Sequence, residues 1–215
     1  MLIICSLLAD QSPHGKLTAM SQHMSPSSEK QPDRKITKPV TAKRLENIAL
    51  YYLGRYAASS ESLRRVLMRR VSKSAYHHNT DPAEGARWVE DIIGRFLKSG
   101  ILDDYVYADG LAKSLYRRGL SQRAIQNRLL AKGIDREILS RQLKAMTENN
   151  ADPDLRAAFL FARRRRLGPF RPADQRSERR DRDLASLARG GFDFETAKKV
   201  IDAETPDSLQ HMIGQ

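Results

Sequence analysis

The sequence predicts an all-α fold, and two patterns support that prediction. From residue 41 onward, apolar residues recur at the i, i+3, i+4, i+7 spacing of amphipathic helices, and no segment alternates as a strand does. The helical segments also begin at capping residues such as Asp81 and Asp103, and end at glycines such as Gly100 and Gly119. We therefore expect a chain of helices from residue 41 to about residue 203.

Nine helices are expected, in three sets of three. The first set occupies residues 41–102, with helices at 45–56, at about 60–71 and at 82–99, and with a polar loop at 76–80. The second set occupies residues 103–150, with helices begun by Asp103, Ser121 and Asp135. The third set occupies residues 151–215, with helices at about 155–167, 173–189 and 193–203.

The three sets indicate internal repetition. Leu53–Ser59, Leu115–Ser121 and Leu187–Asp193 each connect one helix to a short helix with a central apolar pair. A three-helix unit of about fifty residues buries little apolar surface by itself, so stacking of neighbouring units is the physical route to stability. We therefore predict three tandem repeats stacked into an elongated body.

Residues 1–40 lack the helical pattern. Met1–Leu8 is apolar but too short to span a bilayer, and the stretch that follows is rich in Ser, Pro, Gln and Lys. We predict a disordered N-terminal arm, with translation starting at Met1, Met20 or Met24. Because no segment reaches transmembrane length, the protein is expected to be cytoplasmic and not membrane-bound.

Composition indicates an anionic partner. The 215 residues include 38 Lys and Arg against 26 Asp and Glu, a formal net charge of +12. This balance favours nucleic acid as a partner first and an anionic membrane second. The single cysteine, Cys5, excludes a disulfide within the chain and fits a reducing cytosol.

The sequence contains none of the common catalytic motifs. It lacks the Gly-x-x-x-x-Gly-Lys phosphate loop, His-Glu-x-x-His and Gly-x-Ser-x-Gly. His77 and His78 are adjacent, which does not place both on one helix face, and Asp103-Asp104 is interpreted as a helix cap rather than a catalytic pair. We expect a protein that is not an enzyme and uses no cofactor or metal.

Basic residues on helices are the remaining signal. Arg65, Arg69 and Lys73 stand four residues apart and share one face of the second helix. Such ladders suit a phosphate backbone or an acidic protein groove, although solvation of helix faces explains them equally simply. The candidate binding residues are Arg64, Arg65, Arg69, Lys73, Tyr116, Arg117, Arg118, Arg123, Arg128, Lys132, Arg163, Arg164, Arg165 and Arg166.

The aromatic residues divide into two groups. Those on apolar stripes are expected in the core: Tyr52, Tyr56, Trp88 and Phe96. Tyr116 instead lies beside Arg117 and Arg118, off the apolar stripe of its helix, and is a candidate partner contact.

Three stretches resemble the RecX family. Gly100-Ile-Leu-Asp-Asp-Tyr-Val-Tyr-Ala108, continuing through Ser114-Leu-Tyr-Arg-Arg-Gly119 to Leu129-Leu-Ala-Lys-Gly-Ile134, is similar to the family's central signature. Leu53-Gly-Arg55 through Leu67 is similar to its opening repeat, and Leu187–Phe194 with Val200-Ile201 to its closing segment. The resemblance covers about residues 41–204. The N-terminal arm has no counterpart in it, and the polar stretch 74–85 is longer than is typical.

The resemblance implies an elongated, curved body of three-helix repeats, each similar to a wingless helix-turn-helix. It implies a regulator that lies in the groove of RecA–DNA filaments and inhibits ATP hydrolysis, strand exchange and coprotease function of RecA. Such a regulator modulates homologous recombination, DNA repair and the SOS response. Single- and double-stranded DNA are then weak, electrostatic partners, and the protein is expected to be a monomer. The sequence leaves open whether regulation is always inhibitory and how RecA contacts rank against DNA contacts.

The alternative is a helix-turn-helix DNA-binding protein, either a transcription repressor or a nucleoid-associated protein. A repressor normally reads two half-sites as a dimer, and no heptad segment for dimerisation is present. Gln122, Gln126 and Asn127 on a short helix still allow base readout. Strong binding to naked duplex DNA favours this alternative.

Overall fold

Helices account for all the regular structure of the described residues, which confirms the predicted all-α class. The computed structural model describes residues 38–148 and 152–213, all within the unit Ile36–Gln215. The predicted N-terminal arm lies outside the described residues, except for its last three. Within these residues, two short 3-10 helices, Gly168–Phe170 and Ala173–Gln175, lie between the seventh and eighth of ten α-helices. The α-helices are α1 (Ala42–Leu53), α2 (Ser60–His78), α3 (Pro82–Lys98), α4 (Asp104–Arg117), α5 (Gln122–Ala131), α6 (Arg136–Glu148), α7 (Pro153–Arg165), α8 (Arg176–Arg189), α9 (Phe194–Ile201) and α10 (Pro206–Ile213).

The predicted aspartate caps begin their helices. The Asp103 carboxylate accepts the Val106 N–H at 2.9 Å at the start of α4, and Asp152 and Asp193 do the same for α7 and α9. Each carboxylate satisfies an N–H group that the first turn leaves without a helical partner. The sequence-based helix starts are therefore confirmed at these positions.

A tight turn with one left-handed residue, closed by an N–H that donates to the carbonyl five residues earlier, ends α4, α5, α7 and α8. After α4, Gly119 has φ of 72° and Leu120 N–H donates to Leu115 O at 3.2 Å; Gly133 ends α5 in the same way. Glycine is favoured there because a left-handed conformation strains other residues. The same turn follows α7, but its left-handed residue is Arg166, with φ of 55°.

Three apolar clusters form the core and follow one another along the chain. They consist of residues from Val40 to Leu102, from Ala108 to Leu139, and from Leu155 to Leu209. In each cluster, helices of one predicted set pack on one another. The boundaries of the predicted repeats, at 102/103 and 150/151, stay a prediction.

The structure differs from the sequence-based helices in several places, including α1, which ends at Leu53 rather than at residue 56, and α8, which begins only at Arg176. α2 continues to His78, so the polar loop predicted at 76–80 is wrong; the helix ends only where Asn79 adopts the left-handed conformation. α10 was not predicted, although its Leu209 is fully buried against the third cluster. The end of α2 carries no apolar residues at helical spacing, and α10 has only eight residues, too few to show a helical period. The core assignment of Tyr56 is also wrong, because its side chain is exposed.

The alignment of the third junction with the first two is wrong as well. Leu53–Ser59 and Leu115–Ser121 connect the first helix of a set to the second, whereas Leu187–Asp193 connects α8 to α9, the second and third. In its helix order, Leu187–Asp193 instead matches Leu129–Asp135 between α5 and α6, with which it shares Leu, Gly and Asp at equal spacing.

Candidate functional site

A polar joint connects the first and second helical sets. The Ser59 hydroxyl donates to Lys132 O at 2.6 Å, at the C-terminal end of α5. Asp104, in the first turn of α4, accepts the Ser60 N–H at 2.7 Å and the Ser60 hydroxyl at 2.5 Å. The N-terminus of α2 is thus held by a carboxylate and a carbonyl from the following set.

The second joint repeats this arrangement one set later. The Ser121 hydroxyl donates to Gly190 O at 2.8 Å, and Gln122 N–H donates to Asp154 Oδ1 at 2.7 Å. Burial raises the pKa of Asp154, and the bond from Gln122 only partly opposes this effect. Asp104 and Asp154 therefore cap helices of the preceding set, a role that was not predicted for either residue.

The first joint places the α2 ladder beside the end of α5. Arg65 Nη1 donates to Ala131 O at 3.0 Å, while its Nε donates to Glu61 at 2.9 Å. Arg128 and Lys132 lie on the last turn of α5 and at its C-cap, next to that carbonyl. The structure thus brings candidates of the first and second sets together.

Two of the four α2 candidates remain available to a partner. Arg69 and Lys73 are exposed, and neither has a side-chain hydrogen bond or ion pair with any residue in 38–148 or 152–213. Arg64 is not available, because it donates to Glu90 at 2.7 and 3.0 Å and to Glu61 at 2.6 Å. The bonds to Glu90 and Glu61 raise the pKa of Arg64.

The candidates of the second set divide in a similar way. Arg117, Arg118 and Arg123 are exposed at the α4–α5 connection. Tyr116 instead packs between the second and third core clusters. Its hydroxyl is buried beside a cavity of about 440 Å³ and finds no hydrogen-bond partner among the described residues. Burial raises the pKa of Tyr116, and the side chain is not on the open basic surface.

The arginine run at the end of α7 surrounds a helix terminus. Arg163, Arg164 and Arg166 are exposed, and the Arg165 guanidinium lies 4.5 Å from the centre of the Phe161 ring. The run therefore presents its charges in several directions rather than along one face.

Other arginines of the third set have structural partners. Arg171 donates to the buried Asp183 carboxylate at 2.8 and 2.9 Å, and Gly168 N–H donates to the same group at 2.9 Å. Burial alone would raise the pKa of Asp183, but the bonds from Arg171 and Gly168 outweigh it and lower the pKa. Arg180 pairs with Asp202 at 2.7 and 2.6 Å. Sequence alone does not separate these paired arginines from the free ones.

Metal-binding clusters and membrane-spanning helices are both absent from the described residues. None of their His, Cys, Asp and Glu side chains form a group of three or more that could hold a metal ion. No helix within 38–148 or 152–213 is long and apolar enough to cross a membrane. Fold and surface together define a basic protein, all-helical in its described residues, whose first polar joint brings exposed cations of two helical sets together.

Curated relatives identify the family. The chain is 42% identical over 179 residues to "Regulatory protein RecX" of Myxococcus xanthus, which covers 83% of this chain and 95% of the relative. It is 32% identical over 162 residues to "Regulatory protein RecX" of Agrobacterium fabrum, covering 75% of this chain and 84% of the relative. No protein-family model matches the chain, and no solved structure matches it. The chain belongs to the RecX family of regulatory proteins.

Proposed function

We propose that this protein binds RecA–DNA filaments and inhibits RecA activities, including ATP hydrolysis, strand exchange and coprotease function. It thereby modulates recombination, DNA repair and the SOS response. Membership of a family of regulatory proteins supports the class of function. The inhibition itself follows from what the family resemblance implies. The protein acts by binding rather than catalysis, as a cytoplasmic monomer without a cofactor.

The observation that carries this proposal is the basic surface at the first joint. Arg69 and Lys73 on α2 continue the face of Arg65, which contacts the last turn of α5, where Arg128 and Lys132 lie. A partner whose phosphates or carboxylates repeat along a polymer can be followed by cations arranged across two helical sets. DNA contributes weak electrostatic contacts, and RecA provides the specific ones.

The test is suppression of RecA ATP hydrolysis on single-stranded DNA by increasing amounts of this protein. Wild type is expected to suppress hydrolysis well below one molecule per RecA subunit. The double variant R69E/K73E is expected to need at least about tenfold more protein, because two attractive contacts become repulsive. The matched control is R87E/K98E, which reverses two exposed charges on α3 and lowers the net charge of +12 by the same four units.

Two results would contradict the proposal. Absence of suppression by an equimolar amount of wild type, together with tight binding to naked duplex DNA, favours the helix-turn-helix DNA-binding alternative. Equal loss of suppression in both double variants indicates that only net charge matters and that the joint surface has no specific role.

A further inference from the structure

An open apolar groove of about 660 Å³ lies at the first joint, on residues that the basic surface does not use. The segments after α1 and α3 form its sides, and α4 forms its floor. Tyr56, Ile101 and Val106 line it and are 57%, 50% and 64% exposed. Large apolar side chains that remain this exposed around a concave surface mark a site of interaction.

Gly110 gives independent support for an occupant. It lies in the middle of α4, where glycine is disfavoured relative to alanine, and it lines the groove. A Cβ added there would meet no atom within 4 Å, so packing within the described residues does not require glycine. At Gly85, by contrast, a Cβ would lie 2.5 Å from the Val71 side chain. The missing side chain at Gly110 keeps the floor of the groove open for close approach.

The charge of the lining selects the kind of occupant. In a chain of net charge +12, no Lys or Arg lines this groove, and its one charged lining residue is Asp103. The Asp103 carboxylate already accepts the Val106 N–H at 2.9 Å. A phosphate backbone would meet a negative charge and apolar walls here. Large aliphatic or aromatic side chains of a protein would instead bury the apolar walls.

We infer that this groove binds an apolar segment of the protein subunit of the filament, RecA, and does not bind DNA. The inference rests on the proposed function and adds a second kind of contact to it. The cations at the first joint contact the anionic groups of the filament, and the groove on α4 binds its protein subunit. Such a division gives preference for a filament over naked DNA, because only the filament satisfies both surfaces.

The experiment compares affinity for RecA–single-stranded DNA filaments with affinity for bare single-stranded DNA of the same length, using the full chain. Val106→Asp and Gly110→Leu are expected to weaken filament binding about tenfold and to leave binding to bare DNA within about twofold. Gly94→Leu is the matched control, because Gly94 is also an exposed helix-interior glycine with open space at its Cβ, but does not line the groove. Thermal unfolding of each variant verifies that the fold is kept.

The outcomes separate this inference from the proposed function. If wild type does not bind the filament, the proposed function fails and the inference fails with it. If wild type binds but folded Gly110→Leu and Val106→Asp bind equally well, the inference alone is wrong. Equal losses on filament and bare DNA would assign the groove to nucleic acid. A change in oligomeric state without a change in filament affinity would assign it to a second copy of this chain.

Discussion

The joint between the first two helical sets can be tested by removing one carboxylate. Asp104→Ala deletes the acceptor of both the Ser60 N–H and the Ser60 hydroxyl, and Ser60 is buried. A buried donor left without a partner costs about 1–3 kcal/mol, and bonds to a charged acceptor lie at the upper end of that range. We expect Asp104→Ala to lower the free energy of unfolding by about 2–4 kcal/mol.

The neighbouring Asp103 provides the control. It caps only its own helix through the Val106 N–H and is exposed, so Asp103→Ala should cost about 1 kcal/mol. Urea unfolding at pH 7, monitored by circular dichroism, measures both variants. Equal costs for the two substitutions, or a cost below about 1 kcal/mol for Asp104→Ala, would refute the assignment of Asp104 to the joint.

Two further carboxylates make opposite predictions with pH. Asp183→Asn should lower the free energy of unfolding by about 3–5 kcal/mol at pH 7, because it disrupts the buried pair with Arg171. The pKa of Asp183 is lowered in the folded protein, so its ionised carboxylate stabilises the fold above the ordinary carboxyl pKa, and this stability is lost as pH falls through the folded value. In thermal unfolding, the difference in melting temperature between wild type and Asp183→Asn should therefore become smaller in acid. The pKa of Asp154 is raised by burial, so its ionisation disfavours folding, and stability is lost as pH rises from the ordinary value through the raised one. Asp154→Asn keeps an oxygen that accepts the Gln122 N–H but carries no charge. Its urea midpoint should therefore rise relative to that of wild type as pH increases, and a difference that stays constant across pH would contradict this.

Local chemistry made much of the fold predictable. Helix starts depend on a residue and its next three neighbours, so Asp103, Asp152 and Asp193 could be assigned as caps from the sequence alone. The apolar stripes are also a local pattern within each helix, so most core residues could be predicted from them. The extension of α2 to His78 could not be predicted, because Tyr76 and His77 are exposed, His78 is only partly buried, and the three residues show no apolar period.

The interaction surface was predictable only in part, because availability of a charge is a tertiary property. Arg64 and Arg69 look alike in the sequence, yet Arg64 is bound to Glu90, 26 residues away, and Arg69 is not. The partner of an acidic residue, Asp104, was equally unpredictable from the sequence. Its position beside a capping residue suggests a local role, while its actual partner, Ser60, belongs to the preceding helical set. Only distances across the fold separate these cases.

The polar joints also have a consequence for how such a chain can grow. Each joint needs only a capping serine before one helix and an aspartate in the first turn of the following set. Duplication of one set could therefore supply both the serine and the aspartate. α8, the helix that would receive a fourth set, lacks the serine, and its first residue Arg176 instead donates to the carbonyls of Pro169, Arg171 and Glu204. The N-terminus of α8, where a further set would bind, is therefore occupied by contacts within the third set. Replacing the turn before α8 by one resembling Ala58–Ser60 would be the way to lengthen the array by design.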